Sequence, residues 1–103
     1  MVKVALLARL VAKPGKEEEV ADFLASALPM AQQEVATIVW FGFRISKSEF
    51  GIFDAFPDDA GRKAHLSGPI AAALMAKAGE LLAEPPKIEQ VSVLAAKLAK
   101  SLP

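Results

Sequence analysis

The sequence predicts an α+β protein of the ferredoxin-like class, with the order β-α-β-β-α-β and a four-stranded antiparallel sheet. Four segments show the alternation of a strand, and two segments between them place apolar residues at helical spacing. A further observation concerns assembly, because the first three strands are apolar on both faces while the helices can cover only one. With 103 residues the chain has the usual length of one domain. We expect a single domain over residues 1–103, with an ordered core of about residues 2–97.

The first β-α unit occupies the N-terminal third of the chain. Residues 2–12 form a strand whose side chains are apolar on both faces, with Arg9 as the exception. A turn at residues 13–16 leads into a helix that begins with three glutamates, which suit the positive end of a helix. Apolar side chains then recur at i, i+3, i+4, i+7 and i+8, as in a helix with one buried face. At Pro29 the helix should kink or restart, because proline has no amide hydrogen.

The middle of the chain is an aromatic hairpin with strands at residues 36–46 and 49–56. It contains the only tryptophan and five of the six phenylalanines. Two aspartates follow shortly after and can cap a helix, and Pro69 suits the first turn of a second helical segment. Residues 87–97 then return to a strand, and the tail from there onward should be frayed.

The apolar second face of the sheet predicts a partner. In a ferredoxin-like sheet both helical segments lie on one side, so they leave the other side uncovered. A second copy of the chain is the economical cover, with the two sheets packed face to face about 10 Å apart. We therefore expect a homodimeric α+β barrel with an apolar interior, part of which can be open as a pocket.

The composition argues against several classes of function. Twelve basic and twelve acidic residues cancel, so no basic surface of the kind that binds nucleic acid is expected. The chain has no cysteine and one histidine, which argues against disulfides, thiol chemistry and a transition-metal site within one protomer. The apolar N-terminal stretch is too short to span a membrane and lacks the pattern of a secretory signal. We therefore expect a cytoplasmic protein.

Three stretches of the chain resemble the antibiotic biosynthesis monooxygenase (ABM) superfamily, which includes quinol monooxygenases. They are the turn and helix start at residues 13–19, the strand end Phe53-Asp54-Ala55-Phe56, and the helix at residues 59–67 with its acid–alanine…alanine–His–Leu pattern. Together their order covers nearly the whole chain. The resemblance implies a small homodimeric α+β-barrel protein that acts as an oxidoreductase.

The chain departs from the family pattern at three positions. Asp54 stands where family members often have glutamate, and Phe56 stands where they often have tryptophan or tyrosine. The haem-degrading branch has an asparagine in the first strand, at the place of Ala8 in this chain. Haem degradation is therefore not expected. Many family members have no known substrate, so the resemblance alone does not establish oxygenase activity.

The resemblance and the residue types together indicate a cofactor-independent monooxygenase that acts on a small aromatic or quinol-type compound. Such a reaction needs a base for a phenolic proton, a donor or cation for the developing anion, and a dry apolar pocket. His65 is the expected base, since histidine titrates near neutrality, and Asp54 is its orienting partner or the base itself. The alternatives are a salt bridge from Asp54 to Arg44 or Arg9, and a structural hydrogen bond from His65 to a backbone carbonyl.

The remaining candidate residues concern substrate binding. Arg44 would stabilise an anion, and Trp40, Phe43 and Phe56 would line a pocket for a flat ligand. Alternation places Trp40 and Phe43 on opposite faces of their strand, but it leaves open which face lies under the helices. The same aromatic residues also suit a dimer core. Two further functions stay open: a non-catalytic dimeric module that binds a small molecule, and an isomerase or lyase on the same fold.

Overall fold

The computed structural model describes residues 1–99, which form four strands and four helices. The elements are β1 (Val4–Val11), α1 (Glu17–Ser26), α2 (Leu28–Gln33), β2 (Val39–Arg44), β3 (Glu49–Phe56), α3 (Asp59–Leu66), α4 (Pro69–Leu81) and β4 (Lys87–Ser92). The strands form one antiparallel sheet in the order β2-β3-β1-β4. The predicted α+β ferredoxin-like fold is confirmed, with each predicted helix divided into two. None of these helices is long and apolar enough to cross a membrane.

Both helical segments divide where the sequence places a proline. α1 ends at Ser26 and α2 begins at Leu28, so Pro29 lies in the first turn of α2. α4 likewise begins on Pro69. The first amides of a helix have no acceptor within it, so a proline there removes no hydrogen bond. The predicted interruption at Pro29 is therefore a restart.

A side-chain cap sets the start of α3. The Asp58 carboxylate accepts a hydrogen bond from the Gly61 amide at 2.9 Å, which satisfies one of the free amides at the helix start. The predicted capping by this pair of aspartates is confirmed for Asp58. The cap fixes how α3 leaves β3, and so it helps to place His65 in the last turn of α3.

Three strands, β1, β2 and β4, are shorter than predicted, and β1 by one or two residues at each end. β2 stops early because the two amides after it both donate to the carbonyl of Glu49 and close the hairpin there. β4 ends at Ser92, which lies opposite Val4, the first residue of β1. One further backbone hydrogen bond follows, from the Val93 amide to the carbonyl of Lys3 at 2.9 Å. The tail predicted to fray from Lys97 extends past the described residues, since 100–103 lie outside them.

The core lies between the helices and one face of the sheet. Each large apolar side chain buried there contributes about 1.5–3 kcal/mol. Helices and strands contribute Val20, Leu24, Ile70, Leu74, Leu81, Leu10, Phe50, Ile52 and Phe56, all buried. Trp40 and Asp54 lie on this same face, directly opposite each other on β2 and β3. The sequence pattern did not decide which face of the hairpin lies under the helices, and the structure shows that it is the face that carries Trp40.

The second face of the sheet is apolar, and no described helix covers it. Phe41 is 59% exposed and Phe43 is 37% exposed on this face. The ring of Phe43 lies directly on Gly51, so that a Cβ at Gly51 would overlap with Cζ of the ring. Residues 93–98 follow β4 and line a shallow groove with Val39 and Phe41 at one corner. The predicted two-sided apolar character of the sheet is confirmed.

Candidate functional site

The structure places His65 between two carboxylates. Its Nε2 lies 2.8 Å from Asp54 Oδ2, and its Nδ1 lies 2.6 Å from Glu34 Oε1. Asp54 is 2% exposed and His65 is 8% exposed. Ionised carboxylates only accept hydrogen bonds, so both ring nitrogens donate. His65 and Asp54, both selected from the sequence, thus meet in a buried cluster that also includes Glu34.

The fold brings these groups together from three parts of the chain. Asp54 points to the helix face of β3, where Leu6 and Trp40 lie opposite it on the neighbouring strands. His65 comes from the last turn of α3. Phe56, two residues beyond Asp54 on the same face, stacks against the imidazole with ring centres 5.4 Å apart. Phe56 is fully buried and therefore supports His65 rather than lining an open pocket.

Glu34 is the residue that sequence reasoning missed. It follows α2, and its Oε1 also accepts a hydrogen bond from Thr37 Oγ1 at 2.7 Å. Glu34 lies 31 positions from His65, so no local pattern connects them. One signal was present: Glu34 is the only acidic residue between Asp22 and Glu49, directly after an apolar helix. A lone carboxylate next to buried surface needs a partner.

The surroundings of His65 determine its charge. Burial opposes protonation, but the hydrogen bonds to Asp54 and Glu34 outweigh it and raise the pKa of His65 to about 9. The ring is therefore an imidazolium at neutral pH. Since both nitrogens already donate, neither can accept a proton from a ligand while these contacts persist. The two nitrogens also face different carboxylates, and within residues 1–99 no group of His, Asp and Glu converges as metal ligands would.

A small cavity of about 40 Å³ lies beside Asp54 and His65. Its other walls are apolar and come from the sheet, α3 and α4; they are Leu6, Ala8, Ile52, Leu66, Ile70, Ala71, Leu74 and Ile88. An apolar cavity of about 150 Å³ holds a benzene ring, so this one has room for a hydroxyl group but not for a ring. Asp54 Oδ1 is buried and finds no hydrogen-bond donor among the described residues.

A separate open groove of about 450 Å³ runs between α1 and the edge strand β2. This is within the usual size of a small-molecule site. Three of the predicted binding residues, Trp40, Phe43 and Arg44, line it, whereas Asp54 and His65 do not. The site residues predicted from the sequence are thus divided between the groove and the buried cluster.

Arg44 lies at the groove, away from Asp54. Its Nη2 donates to Glu18 Oε2 at 3.1 Å, and its guanidinium lies 4.9 Å from the ring centre of Phe50. Arg44 sits four residues from Trp40 on β2, about 13 Å along the sheet at about 3.3 Å per residue. Arg9 points to the opposite face of the sheet from Asp54. The alternative in which Asp54 pairs with either arginine is therefore wrong.

Trp40 separates the groove from the buried cluster. The benzo edge of its indole lies against Gly42, since a Cβ there would come 3.2 Å from Cη2. Nε1 is at the other end of the ring, where it is buried and finds no acceptor in the described part of the chain. Trp40 also packs against the buried cluster of Ala27, Ala31 and Ile70, and Ile70 lines the small cavity with Asp54 and His65.

Comparisons with known proteins agree with this fold. The crystal structure of a protein of unknown function from Nitrosomonas europaea is 59% identical, with a TM-score of 0.96 and 98% of each chain covered. Another Nitrosomonas europaea protein, named provisionally as an antibiotic biosynthesis monooxygenase, is 14% identical, with a TM-score of 0.80 over 89% of this chain and 99% of that one. A protein of unknown function from Bacteroides thetaiotaomicron, with a suggested oxidoreductase activity, is 16% identical, with a TM-score of 0.76 over 89% and 98%. No family model and no curated protein matches the chain.

The chain thus has the fold of the ABM-like proteins, as its sequence resemblance implied. At 14% and 16% identity these two likenesses concern the fold alone. At 59% identity, the chain belongs to the same family as the first Nitrosomonas europaea protein, whose function is unknown.

Proposed function

We propose that this protein is an ABM-type monooxygenase that oxygenates a small quinol-type aromatic compound without a cofactor, with Asp54 as the proton acceptor. The observation that carries the proposal is that Asp54 lines a small apolar cavity and that its buried Oδ1 finds no donor among the described residues. A buried acceptor of this kind is costly unless a donor completes it. The hydroxyl group of a phenol or hydroquinone is such a donor.

In this proposal Asp54, and not His65, accepts the proton from the substrate. His65 holds a proton on both nitrogens, so it serves as a fixed cation beside Asp54. As a phenolic proton passes to Asp54 Oδ1, the imidazolium attracts the phenolate that forms, while its hydrogen bond to Oδ2 makes Asp54 a weaker base. The apolar cavity walls strengthen this attraction by excluding water.

The reaction balances with dioxygen as the only co-reactant. The deprotonated hydroquinone passes one electron to dioxygen, and the two radicals combine to form a carbon–oxygen bond. Asp54 returns its proton to the peroxide, and cleavage of the O–O bond with loss of the ring C–H proton gives a hydroxyquinone and one water. The hydroquinone supplies all four electrons, so one oxygen atom enters the product and the other leaves as water.

Substrate would bind in the groove between α1 and β2 and reach Asp54 past Trp40. The groove fits a flat aromatic ring, whereas the cavity at Asp54 accepts only its hydroxyl group. Rotation of the indole would join the two spaces. Arg44 stands at the groove, and its partner Glu18 is largely exposed, so that salt bridge is weak and can be exchanged for a ligand anion.

A homodimer is part of the proposal. The exposed Phe41 and Phe43 belong to an apolar sheet face that no described helix covers, and exposed apolar patches of this kind mark interfaces. A second copy placed face to face would bury this surface, including Phe41 and Phe43, which also line one edge of the groove. We also propose that each chain of the dimer forms a single domain, as expected from the chain length.

Oxygen uptake with a panel of hydroquinones, without added metal or flavin, tests the proposal. We expect uptake above the autoxidation rate and a product that gains one oxygen and loses two hydrogens. The Asp54→Asn variant should lose at least about 100-fold in kcat, whereas Asp22→Asn, on the exposed side of α1, should retain full activity. If the wild-type protein does not exceed autoxidation, or if Asp54→Asn remains as active, the enzymatic proposal is wrong.

A second candidate function is a non-catalytic module that binds a small molecule. The separation of the groove from Asp54 and His65 favours it, because a ligand in the groove would touch neither group. The single tryptophan lines the groove, so quenching of its fluorescence reports binding directly. Saturable quenching by a hydroquinone without any oxygen uptake would support this candidate over the oxygenase.

A further inference from the structure

We infer that Glu34 is a positioning residue for the proposed reaction, which acts through His65 by holding the imidazole in one orientation and in its cationic form. The inference rests on the proposed function and deepens it, since neither the family resemblance nor the sequence pattern pointed to Glu34. It concerns a residue that would not touch the substrate. Its effect would reach the substrate through His65 and Asp54.

The geometry of the contact supports this role. The distance of 2.6 Å between Glu34 Oε1 and His65 Nδ1 is short for a hydrogen bond, as charge-assisted contacts are. The contact lies on the ring atom opposite to the one that donates to Asp54. A ring held at both nitrogens cannot rotate without losing both bonds. Glu34 therefore keeps Nε2 directed at Asp54 Oδ2 and leaves Oδ1 as the free oxygen.

Glu34 is itself held in place by its neighbours. Thr37 Oγ1 donates to the same oxygen that accepts from His65. The second carboxylate oxygen, Oε2, is buried against the start of α4, where a Cβ at Gly68 would lie 3.4 Å from it. The start of a helix carries a partial positive charge, which suits a carboxylate. The α4 start has no side-chain cap of its own, so the nearby Glu34 carboxylate complements it.

Among residues 1–99, two titratable side chains reach the imidazole. They are Asp54 from β3 and Glu34 from the segment after α2. The cavity walls that β1 and α4 contribute beside His65 are apolar. On α3 itself, Arg62 turns away to Asp59 and to strand carbonyls. Within the described residues, the charge on His65 therefore depends on these two carboxylates alone.

The replacement Glu34→Gln separates the charge from the hydrogen bond. A glutamine oxygen can still accept from Nδ1, but it no longer provides a negative charge. We expect the pKa of His65 to fall by at least about one unit in this variant. The matched control is Glu80→Gln, which removes an exposed carboxylate on α4 and should leave the pKa of His65 unchanged.

The test is an NMR titration of the imidazole ring, which is unambiguous because the chain has a single histidine. In the wild-type protein both ring nitrogens should carry protons at pH 8. A wild-type pKa near 6.5, or no difference between Glu34→Gln and Glu80→Gln, would overturn the inference without reference to any enzymatic activity. The wild-type titration alone keeps the inference testable should the Glu34→Gln substitution prevent folding.

Kinetics then separates positioning from simple structural support. If turnover needs the imidazolium, kcat should fall at alkaline pH as His65 loses its proton. Glu34→Gln should shift this alkaline fall to lower pH by the same amount as the NMR titration, with little change at the acidic end. An unshifted profile despite a lowered pKa would show that Glu34 does not act on the reaction. Absence of turnover in the wild-type protein would instead count against the proposed function, and the NMR result would stand by itself.

Discussion

Raising the pH from 6.5 to 9 should destabilise this protein through one group. Histidine in an unfolded chain has a pKa of about 6.5. In the folded protein, burial opposes protonation, yet the hydrogen bonds to Asp54 and Glu34 raise the pKa of His65 to about 9. Between these values the folded state keeps a proton that the unfolded state has released. The stabilisation is therefore complete below about pH 6.5, and it is lost as the pH rises to about 9.

The magnitude follows from the size of this shift. One pKa unit corresponds to about 1.4 kcal/mol, so the free energy of unfolding should fall by on the order of 3 kcal/mol across this interval. Small domains have a total stability of about 5–15 kcal/mol. The expected loss is thus a large fraction of the whole, and denaturant unfolding can measure it.

The assay is urea unfolding followed by the fluorescence of Trp40 at a series of pH values. The chain has no cysteine, no tyrosine and one histidine, so beside the terminal amine no other group is expected to titrate in this interval. The control variant His65→Gln should be less stable at pH 6.5 but should show a nearly flat profile. If the free energy of unfolding of the wild-type protein does not change between pH 6.5 and 9, or changes equally in the His65→Gln variant, His65 is not the cause of the pH dependence.

Three further predictions concern the fold, the assembly and the groove. Asp58→Ala removes the 2.9 Å cap to the Gly61 amide and should cost about 1 kcal/mol, seen as a fall in Tm of about 4–8 °C; an unchanged Tm would show that the cap is dispensable. In sedimentation, the wild-type chain should be a dimer and Phe41→Asp a folded monomer, whereas a wild-type monomer at micromolar concentration would remove the case for face-to-face packing. Arg44→Ala breaks an exposed pair with Glu18 and should change stability by less than about 1 kcal/mol, while hydroquinone binding measured by Trp40 quenching weakens; unchanged affinity would exclude Arg44 from the site.

The sequence predicted those parts of the fold that depend on local patterns. Alternation along the hairpin identified two apolar faces, and Pro29 marked the break between α1 and α2. The pattern could not say which face the helices cover, because both faces are apolar. The pattern also did not predict that β4 ends at Ser92, because apolar residues continue beyond that point.

The candidate site was predictable in part. The meeting of Asp54 and His65 was anticipated because a strand end and the following helix lie close in the chain. Glu34 was not, because it lies 31 positions from His65 and the segment after α2 reaches α3 only in the tertiary structure. Arg44 was expected near Asp54 because both lie on one hairpin, but the spacing along the strand separates them and Glu18 is closer. Pairings set by distance along a strand or by helix packing require the tertiary structure.

The most direct test of the proposed site is a crystal structure of the protein with a bound hydroquinone. We expect one hydroxyl oxygen to lie within hydrogen-bonding distance of Asp54 Oδ1 and the ring to occupy the groove between α1 and β2. The indole of Trp40 should be rotated from its present position against Gly42. His65 should keep its contacts with both carboxylates. If the hydroquinone ring stays in the groove, Trp40 does not move and no hydroxyl oxygen reaches Asp54 Oδ1, the proposed role of Asp54 as proton acceptor is wrong.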